Sequence, residues 1–100
     1  MEIKIKATNI ELTPEIKNFI EREISDLEKI LKKFKEEIKF FIEIGKPIKH
    51  HKKGDIFYAE IQSNLPAKTL RASSYSSNIR EAIKEVKEKI ERQIEKYKNK

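Results

Sequence analysis

The chain has 100 residues, of which 40% are charged and 37% hydrophobic, with a net charge of +6, two glycines and no cysteine. That length holds one core and not two, and without cysteine there is neither a disulfide framework nor a thiolate zinc site. No apolar run approaches the ~20 residues of a membrane span, and the N-terminus lacks the apolar stretch of a secretory signal, so the expectation is one cytoplasmic domain over residues 1–100 with no membrane partner.

Ile3, Ile5 and Ala7 alternate with Lys4, Lys6 and Thr8, the period of a half-buried strand. Thr13-Pro14 then reads as a helix start, with a capping hydroxyl followed by a proline whose missing N–H is harmless in the first turn. Ile16, Phe19, Ile20, Ile24, Leu27, Ile30, Leu31 and Phe34 recur at three- and four-residue spacings and predict a helix from Pro14 to about Lys35. Ile38, Phe40, Ile42 and Ile44 alternate as a second strand that ends near Gly45. Lys46 to Gly54 reads as a basic turn region with Pro47, His50, His51, Lys52 and Lys53.

Asp55 to Ser63 predicts a third strand, Leu65-Pro66 a break, and Thr69 to Ser74 a short fourth strand. Ser76-Ser77-Asn78 opens the last helix, where Asn78 and Glu81 have the spacing of a capping box. Ile79, Ala82, Ile83, Val86, Ile90, Ile94 and Tyr97 form its apolar stripe. The sum is an α+β domain in the order β-α-β-β-β-α. The strand–helix–strand start implies a parallel first pair, and the short later links imply hairpins. The expected sheet is four-stranded and mixed, order 1-2-3-4, with both helices on one face.

Charge is unevenly placed. Residues 1–45 sum to −1 and residues 46–100 to +7, so the excess lies in the second half. One reading is a solvated lysine-rich surface; the other is an anionic partner, since local positive potential attracts phosphate backbones. Catalytic constellations are scarce. The only histidines, His50 and His51, are adjacent in a loop, and Ser73, Ser74, Ser76 and Ser77 read as strand-end and cap residues rather than nucleophiles. No glycine-rich phosphate loop exists. The expectation is a protein that is not an enzyme and uses no cofactor, metal or small-molecule substrate.

At about 100° per residue, Lys89, Arg92 and Lys96 fall along one edge of the second helix's apolar stripe. Arg80, Lys84, Lys87 and Lys98 line the other edge, while Glu81, Glu88 and Glu95 point away. Such edges arise when lysine and arginine stems snorkel beside a core. They also suit a row of cations that meets successive phosphates, with Lys46, Lys49, Lys52, Lys53 and Arg71 extending it if their loops lie nearby.

Several segments together resemble one family. They are Ile3-Lys4-Ile5, Ile10-Glu11-Leu12-Thr13-Pro14, Leu27-Glu28, a second strand closing on Lys46, Leu70-Arg71-Ala72-Ser73, and Ala82-Ile83 leading to Lys89-Ile90-Glu91-Arg92-Gln93-Ile94-Glu95-Lys96. In order and spacing the chain resembles the ribosome hibernation-promoting factors and ribosome-associated inhibitors, once called sigma-54 modulation proteins. The resemblance implies the fold above and binding in the decoding channel of the small ribosomal subunit, alone or in the intact ribosome. The resemblance further implies that it blocks mRNA and tRNA sites there through rRNA contacts.

By position it implies rRNA binding by Lys89, Arg92, Lys96 and Lys46. Arg71, Lys84, Lys87, Arg22 and Lys29 are further candidates. The chain departs from the family pattern at Glu23 and Asp26, where basic residues are usual. It departs again at Asn78-Ile79-Arg80, which replaces an Asp-Met-Tyr helix opening. Residues 1–100 include neither the long form's dimerisation domain nor an acidic tail, so the expectation is a short form or a longer protein trimmed to one. Two other readings stay open. One is a double-stranded-RNA-binding domain, which shares the α-β-β-β-α order but places a lysine cluster at its last helix start. The other is a protein–protein adaptor that uses an open sheet face with Phe41, Ile56 and Tyr58.

Overall fold

A strand that alternates in burial needs a cover on one face, and the two amphipathic helices supply it. The computed structural model describes residues 2–32, 38–47 and 56–99. In chain order these form β1 (Glu2–Thr8), α1 (Pro14–Leu31), β2 (Lys39–Gly45), β3 (Phe57–Leu65), β4 (Lys68–Ser76) and α2 (Ile79–Lys98). The strands make one sheet in the order β1-β2-β3-β4. β1 pairs parallel to β2, and the other neighbours pair antiparallel. This is the predicted α+β topology.

Register places Ile5, Ile42, Ile61 and Ala72 in one row across the sheet, flanked by the rows Ile3-Phe40-Ser63-Leu70 and Ala7-Ile44-Ala59-Ser74. These rows point to the buried face, where they join the helix stripes in one core with Phe19, Ile24, Leu27, Val86, Ile90 and Ile94. Only that face is covered, so both helices lie on it. The opposite face carries Lys4, Phe41, Gln62 and Arg71 in one row and Lys6, Glu43, Glu60 and Ser73 in the next.

Both helix starts follow from their caps. The Thr13 hydroxyl accepts from the Ile16 N–H at 3.2 Å, and the Asn78 side chain accepts from the N–H groups of Arg80 and Glu81 at 2.9 and 3.3 Å. The capping box is met only in part, because the Asn78 N–H donates to Ser76 Oγ at 3.2 Å. The serine two residues earlier takes the bond that the Glu81 carboxylate was expected to make.

Three boundaries differ from expectation. α1 closes at Leu31 with Lys32 as its cap; the rest of the predicted continuation to about Lys35 lies outside the described residues, as do Lys49, His50, His51, Lys52 and Lys53. β3 runs to Leu65 and β4 from Lys68 to Ser76, so Pro66 does not open a loop. It occupies a two-residue turn, where its fixed φ suits the first central position and Ala67 takes the second with φ 62°. Ser74 is not a strand-end residue; it is 2% exposed beneath α2.

The end of β2 is shaped by close backbone approach. A Cβ on Gly45 would stand 2.2 Å from the Thr8 carbonyl oxygen, which the Lys46 N–H reaches at 3.1 Å. Only glycine lets the two strands meet there. Asn9 then turns the chain out of β1 with φ 62°, and its Nδ2 donates to the Lys46 carbonyl at 3.0 Å.

Candidate nucleic-acid interface

The apolar stripe of α2 seats it over β3 and β4, which leaves its two charged edges in different surroundings. On the β4 side, Lys89 Nζ donates to the Ser73 carbonyl at 2.9 Å. Gln93 Nε2 donates to the Arg71 carbonyl at 2.9 Å, and the Tyr97 hydroxyl to the Pro66 carbonyl at 2.6 Å. Residues 89, 93 and 97 are one helical turn apart, so a single row of side chains ties α2 to the outer strand and the turn that leads into it. Arg92 and Lys96 stand on the same edge, exposed, beside Lys89. Lys89 uses one of its three donors on the strand, which fixes its ammonium and leaves it exposed.

The opposite edge faces α1. The Arg80 guanidinium lies 5.1 Å from the centre of the Phe19 ring. Lys87 Nζ sits 3.2 Å from Asp26 and 3.6 Å from Glu91, with its side chain only 15% exposed. Burial works against its charge, but the Asp26 bond and the fields of Glu91, Asp26 and Glu23 outweigh it and hold the ammonium above the ordinary lysine pKa. Asp26, one of the two acidic departures on α1, thus binds a cation of this same chain. Lys84, Arg22 and Lys29 are exposed.

The remaining candidates are dispersed. Arg71 projects from β4 onto the uncovered sheet face, where its guanidinium donates to Gln62 Oε1. Lys46 follows β2 at the sheet end that holds the start of α2, with its ammonium 5.3 Å from the Phe57 ring centre. Lys96 stands near the other end of α2, close to the β3–β4 turn that Tyr97 reaches. The structure therefore gathers Lys89, Arg92 and Lys96 on one edge, places Arg71 around the rim of β4, and keeps Lys46 apart. Sequence reading missed Gln93 and Tyr97 as anchors. Their spacing from Lys89 and the outer position of β4 were visible, but not which carbonyls of β4 and its turn their side chains reach.

A second polar cluster lies on the uncovered face. Glu43 accepts from the Tyr58 hydroxyl and from Thr8 Oγ1, the latter at 2.9 Å. These two bonds, with support from the Lys6 charge, outweigh partial burial and hold the Glu43 carboxyl below its usual pKa. Burial and then the bond to Glu43 push the Tyr58 hydroxyl above the usual tyrosine value. Among the described residues, no group of three His, Cys, Asp or Glu side chains is placed to hold a metal ion, and no helix is long and apolar enough to cross a membrane.

A profile of the sigma 54 modulation protein / S30EA ribosomal protein family matches residues 3–100. The chain belongs to this family. Among curated proteins, no sequence matches it significantly. Solved structures with the same fold include two that match nearly the whole chain. The N-terminal domain of Protein Y from Thermus thermophilus superposes with a TM-score of 0.80 at 22% identity, covering 97% of this chain and 99% of that one. A ribosomal subunit interface protein from Coxiella burnetii gives 0.75 at 20% identity, with both chains fully covered.

Proposed function

We propose that this chain binds the small ribosomal subunit in the decoding channel, alone and within the intact ribosome. It contacts rRNA through the β4-side edge of α2 and occludes the mRNA and tRNA sites. The observation that carries the reading is the exposed row Lys89, Arg92 and Lys96 on a helix anchored to the sheet by Lys89, Gln93 and Tyr97. Cations held on a rigid element meet phosphates with less loss of freedom than cations on a loop. Family membership supports a ribosomal partner and, with it, a cytoplasmic location. The action is occupancy: translation stops because the channel is full, with no catalytic step and no cofactor, as in ribosome hibernation under stress.

Sedimentation with purified subunits tests this. The protein should pellet with the small subunit and the intact ribosome, be excluded by preloaded mRNA and tRNA, and stay behind when only the large subunit is present. Equal pelleting with both subunits would reduce the interaction to general attraction for RNA. A pulled-down partner that survives RNase would instead favour a protein adaptor.

A further inference from the structure

The uncovered sheet face carries a pattern that the α2 edge does not use. Pairing sets Lys4, Phe41, Gln62 and Arg71 in a row across all four strands. Phe41 and Gln62 border a groove of about 220 Å³ that Lys4 and Lys6 rim on the β1 side and that Glu43 and Glu60 also line. Arg71 stands exposed at the β4 end of the row and holds the Gln62 amide from one side, while Asn64 accepts from the Gln62 Nε2 at 3.1 Å. Further along the face Tyr75 is 64% exposed, with its ring centre 6.3 Å from that of Tyr58. Phe41 and Tyr75 are two strands and four residues apart, about 16 Å along the sheet.

We propose that this face is a second nucleic-acid surface, which stacks an unpaired base of single-stranded RNA on Phe41 and another on Tyr75, with Lys4 and Arg71 holding phosphates on either side of the Phe41 base. It extends the proposed ribosomal role, since a decoding channel offers unpaired strands. Three features select this occupant. The Phe41 row holds an aromatic, an amide and two cations with no carboxylate, the combination that single strands meet when bases stack and phosphates are neutralised. In the adjoining row, the Glu43 oxygen nearest the aromatics is already engaged by Tyr58 and Thr8, and the carboxylates there repel a backbone. They steer the strand from Lys4 across Phe41 to Arg71 and then along β4, past Ser73, to Tyr75. A helical protein partner, by contrast, needs a continuous apolar stripe, and here Phe41 is flanked by Lys4 and Gln62.

The test is binding of labelled oligouridylate to the full chain, followed by fluorescence anisotropy. Phe41→Leu keeps an apolar side chain in the sheet but removes the ring, and Tyr75→Ala removes an exposed one; each should weaken binding by about 5- to 150-fold. Duplex RNA should compete poorly. The Arg92→Glu/Lys96→Glu variant, altered on the other face, should keep most of its oligouridylate affinity while losing the small subunit. The idea is overturned if wild type ignores oligouridylate, or if both aromatic variants bind as wild type does. A protein partner lost on Phe41→Leu and insensitive to RNase would also overturn it. The two proposals separate cleanly. If wild type fails to sediment with ribosomes yet oligouridylate binding depends on Phe41, the ribosomal placement falls and this surface stands; the reverse pattern removes only this surface.

Discussion

Reversing the charge of Arg92 and Lys96 together is the cleanest perturbation of the α2 edge. Lys89 is left in place because it also donates to the Ser73 carbonyl, so its loss would mix anchoring with binding. If each of the two cations neutralises one phosphate, the slope of log affinity against log salt should fall by about 1.4–1.8. For these two contacts a fourfold rise in salt weakens wild-type binding by roughly 7- to 12-fold, a component the variant lacks. Neither side chain is buried, so stability should move by no more than about 0.5 kcal/mol.

The control is Lys84→Glu/Lys98→Glu, which changes net charge equally on the α1 side. Lys87 is unsuitable there, because a carboxylate at that position would face Asp26 and Glu91. Binding to the small subunit is measured by sedimentation over a salt series, after circular dichroism has shown both variants folded. Equal losses and equal slopes in the two variants would refute the assignment of this edge, leaving only net charge as the cause.

Gly45→Ala should destabilise by about 1–3 kcal/mol, because its methyl collides with the Thr8 carbonyl; thermal melting unchanged within a degree or so would contradict that packing. Ser74→Ala should be neutral or stabilise by up to about 1 kcal/mol, since Ser74 Oγ is buried without a hydrogen-bond partner; a clear drop in denaturant midpoint would reveal a partner for it. Glu43 is depressed in the folded state, so its contribution is present above the unfolded value near 4.5 and is lost as pH falls through the lower folded value. Tyr58→Phe should lessen that acid loss, and an unchanged acid limb in urea melts at successive pH values would count against the bond.

The alternating strands were legible because one covered face imposes a two-residue period, and the helices because their stripes and caps are local. Ile3, Ile5, Phe40, Ile42 and Ile44 face the core as their spacing requires. The length of β4 was not legible. Pro66 reads as a break from its ring alone, whereas a turn of two residues accepts it and lets pairing resume at Lys68. The edges of α2 were visible as a charge pattern but not as distinct surroundings. Lys87 and Lys89 look alike in sequence, and one meets Asp26 on a neighbouring helix while the other meets a strand carbonyl.

The row Lys89, Gln93 and Tyr97 has a consequence for self-association. An outermost strand offers unpaired carbonyls to any passing chain and invites sheet-to-sheet growth. Here the β4 carbonyls of Ser73 and Arg71, and that of Pro66 in the preceding turn, are already occupied from within, so another molecule adding to β4 must first displace the two bonds on the strand itself. At the other margin, β1 carries Lys4 and Lys6, whose like charges oppose the approach of a second copy. The two margins of the sheet are closed by different means, one by internal lacing and the other by repulsion. Salt relaxes only the second, so any crowding-driven aggregation that begins at a sheet margin should begin at β1 and grow with ionic strength.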